Sequence, residues 1–166
     1  MAATGSYDNP LDSRDWAGHA AGELCARLEE EVCRAERQGT QLSCLLVSLD
    51  GVRLQAEHGE QLPAQALAYV AAALTRQLRR FDRVGQVSAS ELLVLLPGAD
   101  GPRAEIVARR ALVRLGAVKV ELDGRRHSIG VAIGLGTWSA GLSAAHLLER
   151  TRLAAHRQAT RDAPAA

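Results

Sequence analysis

The stretch Arg83-Val84-Gly85-Gln86-Val87-Ser88-Ala89-Ser90-Glu91-Leu92-Leu93-Val94-Leu95-Leu96-Pro97 decides the fold. Arg83 to Val87 and Leu92 to Leu96 are runs of strand length, and the small or polar residues Ser88 to Glu91 lie between them. This pattern predicts a β-hairpin, which makes the two strands antiparallel. Pro97, Gly98 and Gly101 break the chain behind it, and Pro102 to Leu115 reads as a helix.

Working upstream, Leu42 to Leu49 is an apolar run of strand length. Pro63 to Arg79 carries Leu67, Val70, Ala71, Leu74 and Leu78 at helical spacing, so a strand feeds a helix. Downstream, Val118 to Leu122, the Asp123-Gly124 turn signal and His127 to Leu135 predict a second hairpin, and Ser143 can cap a last helix reaching Arg157. At the front, Asn9 and Pro10 offer a helix start, Trp16, Ala20, Leu24, Leu28 and Val32 recur every four residues, and Gly39 stands where a left-handed cap would end the helix. Its apolar stripe can pack on the same domain or on a second copy, which leaves a homodimer open. Residues 1–8 read as a disordered N-terminus, 9–39 as a lead-in helix, 40–161 as the domain and 162–166 as a frayed end. The order, a helix followed by βα-ββ-α-ββ-α, implies an α/β (α+β) fold. A mixed sheet is flanked by helices, close to the ferredoxin-like or palm arrangement.

The chain has 166 residues, 47% hydrophobic and 23% charged, enough for one domain with a core. Its formal net charge of +1 gives no general attraction to DNA, RNA or an anionic membrane. Trp16 and Trp138 lack the aromatic-basic alternation of single-strand binders. Cys25, Cys33 and Cys44 are odd in number and form no CxxC pair, which argues against a disulfide framework and a zinc site. His19, His58, His127, His146 and His156 are scattered without metal-ligand spacing. No basic-then-apolar leader precedes the domain, and the longest apolar run, Ala66 to Leu74, is too short to span a bilayer. A soluble cytoplasmic protein is the expectation.

The order of segments, with Glu91-Leu92-Leu93-Val94-Leu95-Leu96-Pro97 and Ser128-Ile129-Gly130-Val131-Ala132, resembles GGDEF domains, the diguanylate cyclase family. The resemblance runs from about Leu42 to Ala159, with an echo of the family's helix-entry motif in Asn9-Pro10-Leu11. In that family two GTP molecules, each held with magnesium in one of two facing domains, are joined into cyclic di-GMP.

The resemblance places Ser48 at the first metal-binding aspartate, leaves Asp50 as the one remaining acid of that strand end, and puts Val52 at a phenylalanine. In the hairpin, Ser88 and Ala89 stand for two glycines, Ser90 for the metal-binding acid, Glu91 for the following acid and Leu92 for a phenylalanine. Magnesium wants anionic oxygen, and hydroxyls cannot offset the charge of a triphosphate. A Cβ at Ser88 and Ala89 also crowds the backbone approach that a nucleotide needs. Ala56 and Ala159 replace a guanine-reading asparagine and a phosphate-contacting lysine. The expectation is a degenerate GGDEF domain that is not an enzyme, with no catalytic residue and no magnesium. Asp50 and Glu91 then serve as caps or solvated strand-end residues.

Arg79 and Asp82 form the chain's only Arg-x-x-Asp, six residues before Ser88, where the family carries its product-binding inhibitory site. In the family an arginine of the next helix completes that site, which falls on Arg110 here, or on Arg109 if the alignment shifts by one. Arg103 and Arg114 lie on the same side of that helix. Cyclic di-GMP presents phosphates and guanine edges suited to guanidinium forks, and a carboxylate can accept from guanine N–H groups. The leading expectation is therefore a catalytically inactive receptor or effector that binds cyclic di-GMP through Arg79, Asp82 and Arg110 and signals to an unidentified protein partner. A ligand-independent protein-interaction scaffold is the second reading. A residual cyclase or GTP-binding half-site is the third.

Overall fold

A computed structural model describes residues 13–50, 64–122 and 124–162. The expected disordered N-terminus, the helix start at Asn9 and Pro10, and the positions Val52 and Ala56 lie outside the described residues. The elements in chain order are α1 (Ser13–Gln38), β1 (Leu42–Asp50), α2 (Ala64–Thr75), β2 (Arg83–Ser88), β3 (Glu91–Pro97), α3 (Gly101–Gly116), β4 (Lys119–Leu122), β5 (Arg125–Ser128), β6 (Gly130–Thr137) and α4 (Ala144–Asp162).

Strands β2, β3, β1 and β6 form one sheet in that order, antiparallel at each junction, with Leu45 opposite Val94 on one side and Leu135 on the other. The two central strands are apolar on both faces because both faces are covered. Leu45, Val47, Leu49, Leu92, Val94 and Leu96 join a core with α2 and α3. The alternate residues Leu42, Cys44, Leu46, Leu93 and Leu95 meet α1 and α4. The α1 stripe of Leu24, Leu28 and Val32 therefore packs on its own domain. Gly39, at φ 63°, ends that helix as its position predicts.

Local chemistry sets the other boundaries. Asp100 caps α3 by accepting from the Arg103 amide at 2.9 Å, and Ser143 caps α4 through the His146 amide at 3.2 Å. Helix α2 stops at Thr75, short of Arg79, because the next amides close tighter bonds, Gln77 to the Leu74 carbonyl at 2.9 Å and Leu78 to that of Thr75 at 3.3 Å. The expected second hairpin is split. β4 pairs with β5 as a separate ribbon, while Gly130 onward joins the main sheet beside β1.

The β6 face toward α4 is built from Ala132, Gly134 and Gly136. A Cβ at Gly134 would lie 2.3 Å from both the Thr151 carbonyl oxygen and the Ala155 nitrogen. The helix backbone thus rests directly on the strand, a closeness only glycine permits.

Candidate functional site

Two clusters sit at opposite ends of β2, whose six residues span roughly 20 Å at the usual strand rise. The first is the Arg79–Asp82 turn. The Asp82 amide donates to the Arg79 carbonyl at 3.0 Å, and the Arg79 amide donates to Asp82 Oδ2 at 2.8 Å. The Arg79 guanidinium reaches the same carboxylate, with Nη2 3.4 Å from Oδ1. The Asp82 side chain is only 2% exposed and that of Arg79 56%, so the acid faces inward and the guanidinium outward. Arg83 clasps the turn by donating to the Arg80 and Asp82 carbonyls at 2.9 and 3.0 Å. Phe81 and Arg83 also border a cavity of about 290 Å³ against Arg27, Glu31 and Arg34 of α1.

The inward carboxylate changes what this pair offers chemically. The sequence suggested Asp82 as an acceptor for a guanine edge, but its oxygens are engaged by its own turn. What faces solvent is one oriented guanidinium. Arg110 is exposed on α3, which packs beside α2 over the same sheet face. Among the described residues no bond joins Arg110 to Arg79 or Asp82. Its neighbour Arg109 donates to Glu105 at 2.6 Å.

The second cluster surrounds the hairpin turn. Ser48 on β1 stands opposite Glu91 on β3, and the Leu49 amide donates to the Ser90 carbonyl at 2.8 Å. The structure thus brings together Ser48, Ser90 and Glu91, the positions that the resemblance groups. The side chain of Asp50 lies outside the described residues. Ser88 and Glu91 pair across a turn made by Ala89 and Ser90, with a bulge at Val87, so the hairpin closes without glycine. Leu92 is fully buried in the core.

Glu91 is not the solvated strand-end residue that its position suggested. It is buried, Arg152 Nη2 lies 3.2 Å from its Oε2, and His156 Nε2 lies 3.8 Å from its Oε1. Arg152 and His156 are four residues apart on α4 and so project from one side of it. Neither was singled out in the sequence as a partner of the hairpin. The available signal was their spacing of four, which puts both on one face of the last helix. Among the described residues no group of three or more His, Cys, Asp or Glu side chains is arranged to hold a metal ion. None of the described helices is long and apolar enough to cross a membrane.

Comparison with known proteins places this geometry. A family model for the diguanylate cyclase GGDEF domain matches residues 18–162, a span that includes most of α1. The diguanylate cyclase DgcP of Pseudomonas aeruginosa is 26% identical over 135 residues, covering 81% of this chain, which spans only 20% of that relative's length. The diguanylate cyclase SiaD of Pseudomonas aeruginosa, solved in complex with its activator SiaC, superposes with a TM-score of 0.79 at 22% identity, covering 86% of this chain and 55% of that one. The GGDEF domain of DgcB from Caulobacter crescentus, solved in complex with c-di-GMP, gives a TM-score of 0.77 at 16% identity, covering 86% and 85%.

Proposed function

This chain belongs to the GGDEF-domain family, and we propose that it serves there as a receptor for cyclic di-GMP, without cyclase activity, that passes its signal to a protein partner. The observation that carries the reading is the Arg79–Asp82 turn, which aims a half-exposed guanidinium outward from a buried carboxylate. An arginine fixed by its own acid loses less freedom on meeting a phosphate or a guanine edge than a free one. In this reading Arg79 and Arg110 contact the ligand, and Asp82 holds Arg79 in position. The c-di-GMP complex of the DgcB domain supports this class of ligand, and the SiaD–SiaC complex supports a protein as the kind of partner.

The absence of cyclase activity rests on the hairpin. The described donors there are the hydroxyls of Ser48 and Ser90 and one carboxylate, Glu91, already bonded to Arg152. This set does not fit magnesium, which seeks anionic oxygens free of competing cations. No step of phosphoryl chemistry is assigned to the chain.

Titration calorimetry with cyclic di-GMP tests the reading. Binding by the parent chain, lost in Arg79→Ala and weakened in Arg110→Ala, supports it. Equal binding by all three, or none by the parent, rejects it. Formation of cyclic di-GMP from GTP and magnesium would overturn the assignment as a non-enzyme.

A further inference from the structure

Helix α3 carries apolar side chains where a surface helix normally has polar ones. Its buried residues Ala104, Ala111 and Leu115 define the line that faces the core. Successive residues turn by about 100° around the axis, which puts Ile106 and Val113 on the opposite line, at the centre of the solvent face. They are 59% and 76% exposed.

Charge is distributed unevenly around this apolar line. Arg103, Arg110 and Arg114 run along one flank, all exposed, and none makes an ion pair among the described residues. On the other flank Arg109 is already paired with Glu105. The helix therefore presents uncompensated guanidinium groups beside two exposed aliphatic side chains, in a chain whose net charge is only +1.

We propose that this face docks an acidic amphipathic segment of a partner protein, its aliphatic side chains on Ile106 and Val113 and its carboxylates on Arg103 and Arg114, with Arg110 left to the nucleotide. Planar guanidinium groups engage carboxylates through two hydrogen bonds at once, and an apolar centre with a charged margin is the usual anatomy of a protein interface. A second copy of this chain is a poor occupant. Antiparallel two-fold pairing of α3 sets the arginine flank against itself, and parallel pairing offers only Glu105, which is already engaged. An anionic bilayer would attract the arginines too, but Ile106 and Val113 alone offer little apolar area for insertion. The proposal supplies the output of the receptor reading and rests on it for that role, whereas the surface itself is tested without the nucleotide.

The probe is a synthetic amphipathic peptide with leucines along one helical face and glutamates beside them, titrated into the full chain. Binding is expected, with amide shift changes centred on residues 103–114. Val113→Glu, Ile106→Glu and Arg114→Glu should each weaken it about tenfold or more, with unchanged circular dichroism because all three positions are exposed. Equal binding by a scrambled peptide or by one with lysine in place of glutamate, or indifference to Val113→Glu, overturns the proposal. So does self-association that Val113→Glu abolishes, which would identify a second copy as the occupant. Binding to phosphatidylserine vesicles with none to the peptide overturns it in favour of a membrane. Arg79→Ala should leave peptide binding intact. A parent chain that binds the peptide but not cyclic di-GMP rejects the receptor reading alone, and one that binds cyclic di-GMP but not the peptide rejects the docking surface alone.

Discussion

Arg152 Nη2 lies 3.2 Å from Glu91 Oε2, so the last helix is tied to the first residue of β3 by an ion pair that is mostly shielded from water. Removing the cation leaves a buried carboxylate whose nearest remaining partner among the described residues is His156, at 3.8 Å. Arg152→Ala should therefore lower stability by about 1–3 kcal/mol. Replacing Glu91 by Gln in the same background should recover part of that loss. Urea unfolding of the parent, both single variants and the double variant measures the coupling directly.

The same ion pair makes a prediction about metal. Ser48→Asp with Ser90→Asp places carboxylates at two neighbouring strand ends, yet Arg152 still competes for Glu91. The doubly substituted chain should bind manganese, a spectroscopic stand-in for magnesium, more weakly than the same chain carrying Arg152→Ala as well. Paramagnetic resonance titration compares them. Equal affinity would mean that Arg152 is no obstacle.

Glycine substitutions should act with opposite signs according to what a Cβ meets. At Gly136 it would lie 2.0 Å from Thr151 Oγ1, and at Gly134 it would strike the backbone of α4. Gly134→Ala should cost about 3 kcal/mol or more, since the helix must lift from the strand. At Gly22, inside α1, nothing lies within 4 Å, and Gly22→Ala should raise stability by about 0.5–1 kcal/mol. Thermal unfolding of both variants checks the sign.

Burial pushes the Cys44 thiol up from an ordinary 9.0 to about 11, partly opposed by its hydrogen bond with Thr151. Because the folded state favours the neutral thiol, its contribution is complete below pH 9 and is lost as pH rises through about 11. Cys44→Ala should flatten the fall in stability across that window. A thiol reagent at neutral pH should label the exposed Cys33 readily and Cys44 only after unfolding.

Asp82 and Arg79 should separate in a stability assay. Arg79→Ala keeps the bond from the residue-79 amide to the Asp82 carboxylate, because that donor is backbone. Asp82→Ala removes it and should cost about 1–2 kcal/mol by loosening the turn. Melting curves distinguish the two, and Arg79→Ala becomes the cleaner probe of ligand contact.

The hairpin at Ser88–Glu91, the helices after it and the α1 stripe were readable from sequence, since each rests on periodicity or on a capping residue acting over a few positions. The break between β5 and β6 was not. His127 to Leu135 has continuous strand character, and only the pairing of Gly130 to Thr137 with β1 divides it. The orientation of Asp82 was equally invisible, because Arg-x-x-Asp records spacing and not the direction a carboxylate turns. The partnership of Glu91 with Arg152 joins residues 61 positions apart and leaves no local pattern.

The bare contact between α4 and the glycines of β6 has a consequence for synthesis. Until residues 144–162 have left the ribosome, Cys44 and Leu46 of β1 and the Gly134–Gly136 groove lack their cover, and Glu91 lacks its guanidinium. The hairpin and the inner helices can assemble early on the α2–α3 face and α1 can cover its part of the opposite face, while the part that α4 will cover stays open to chaperones. The domain should then lock in one late step, when α4 settles onto the strand.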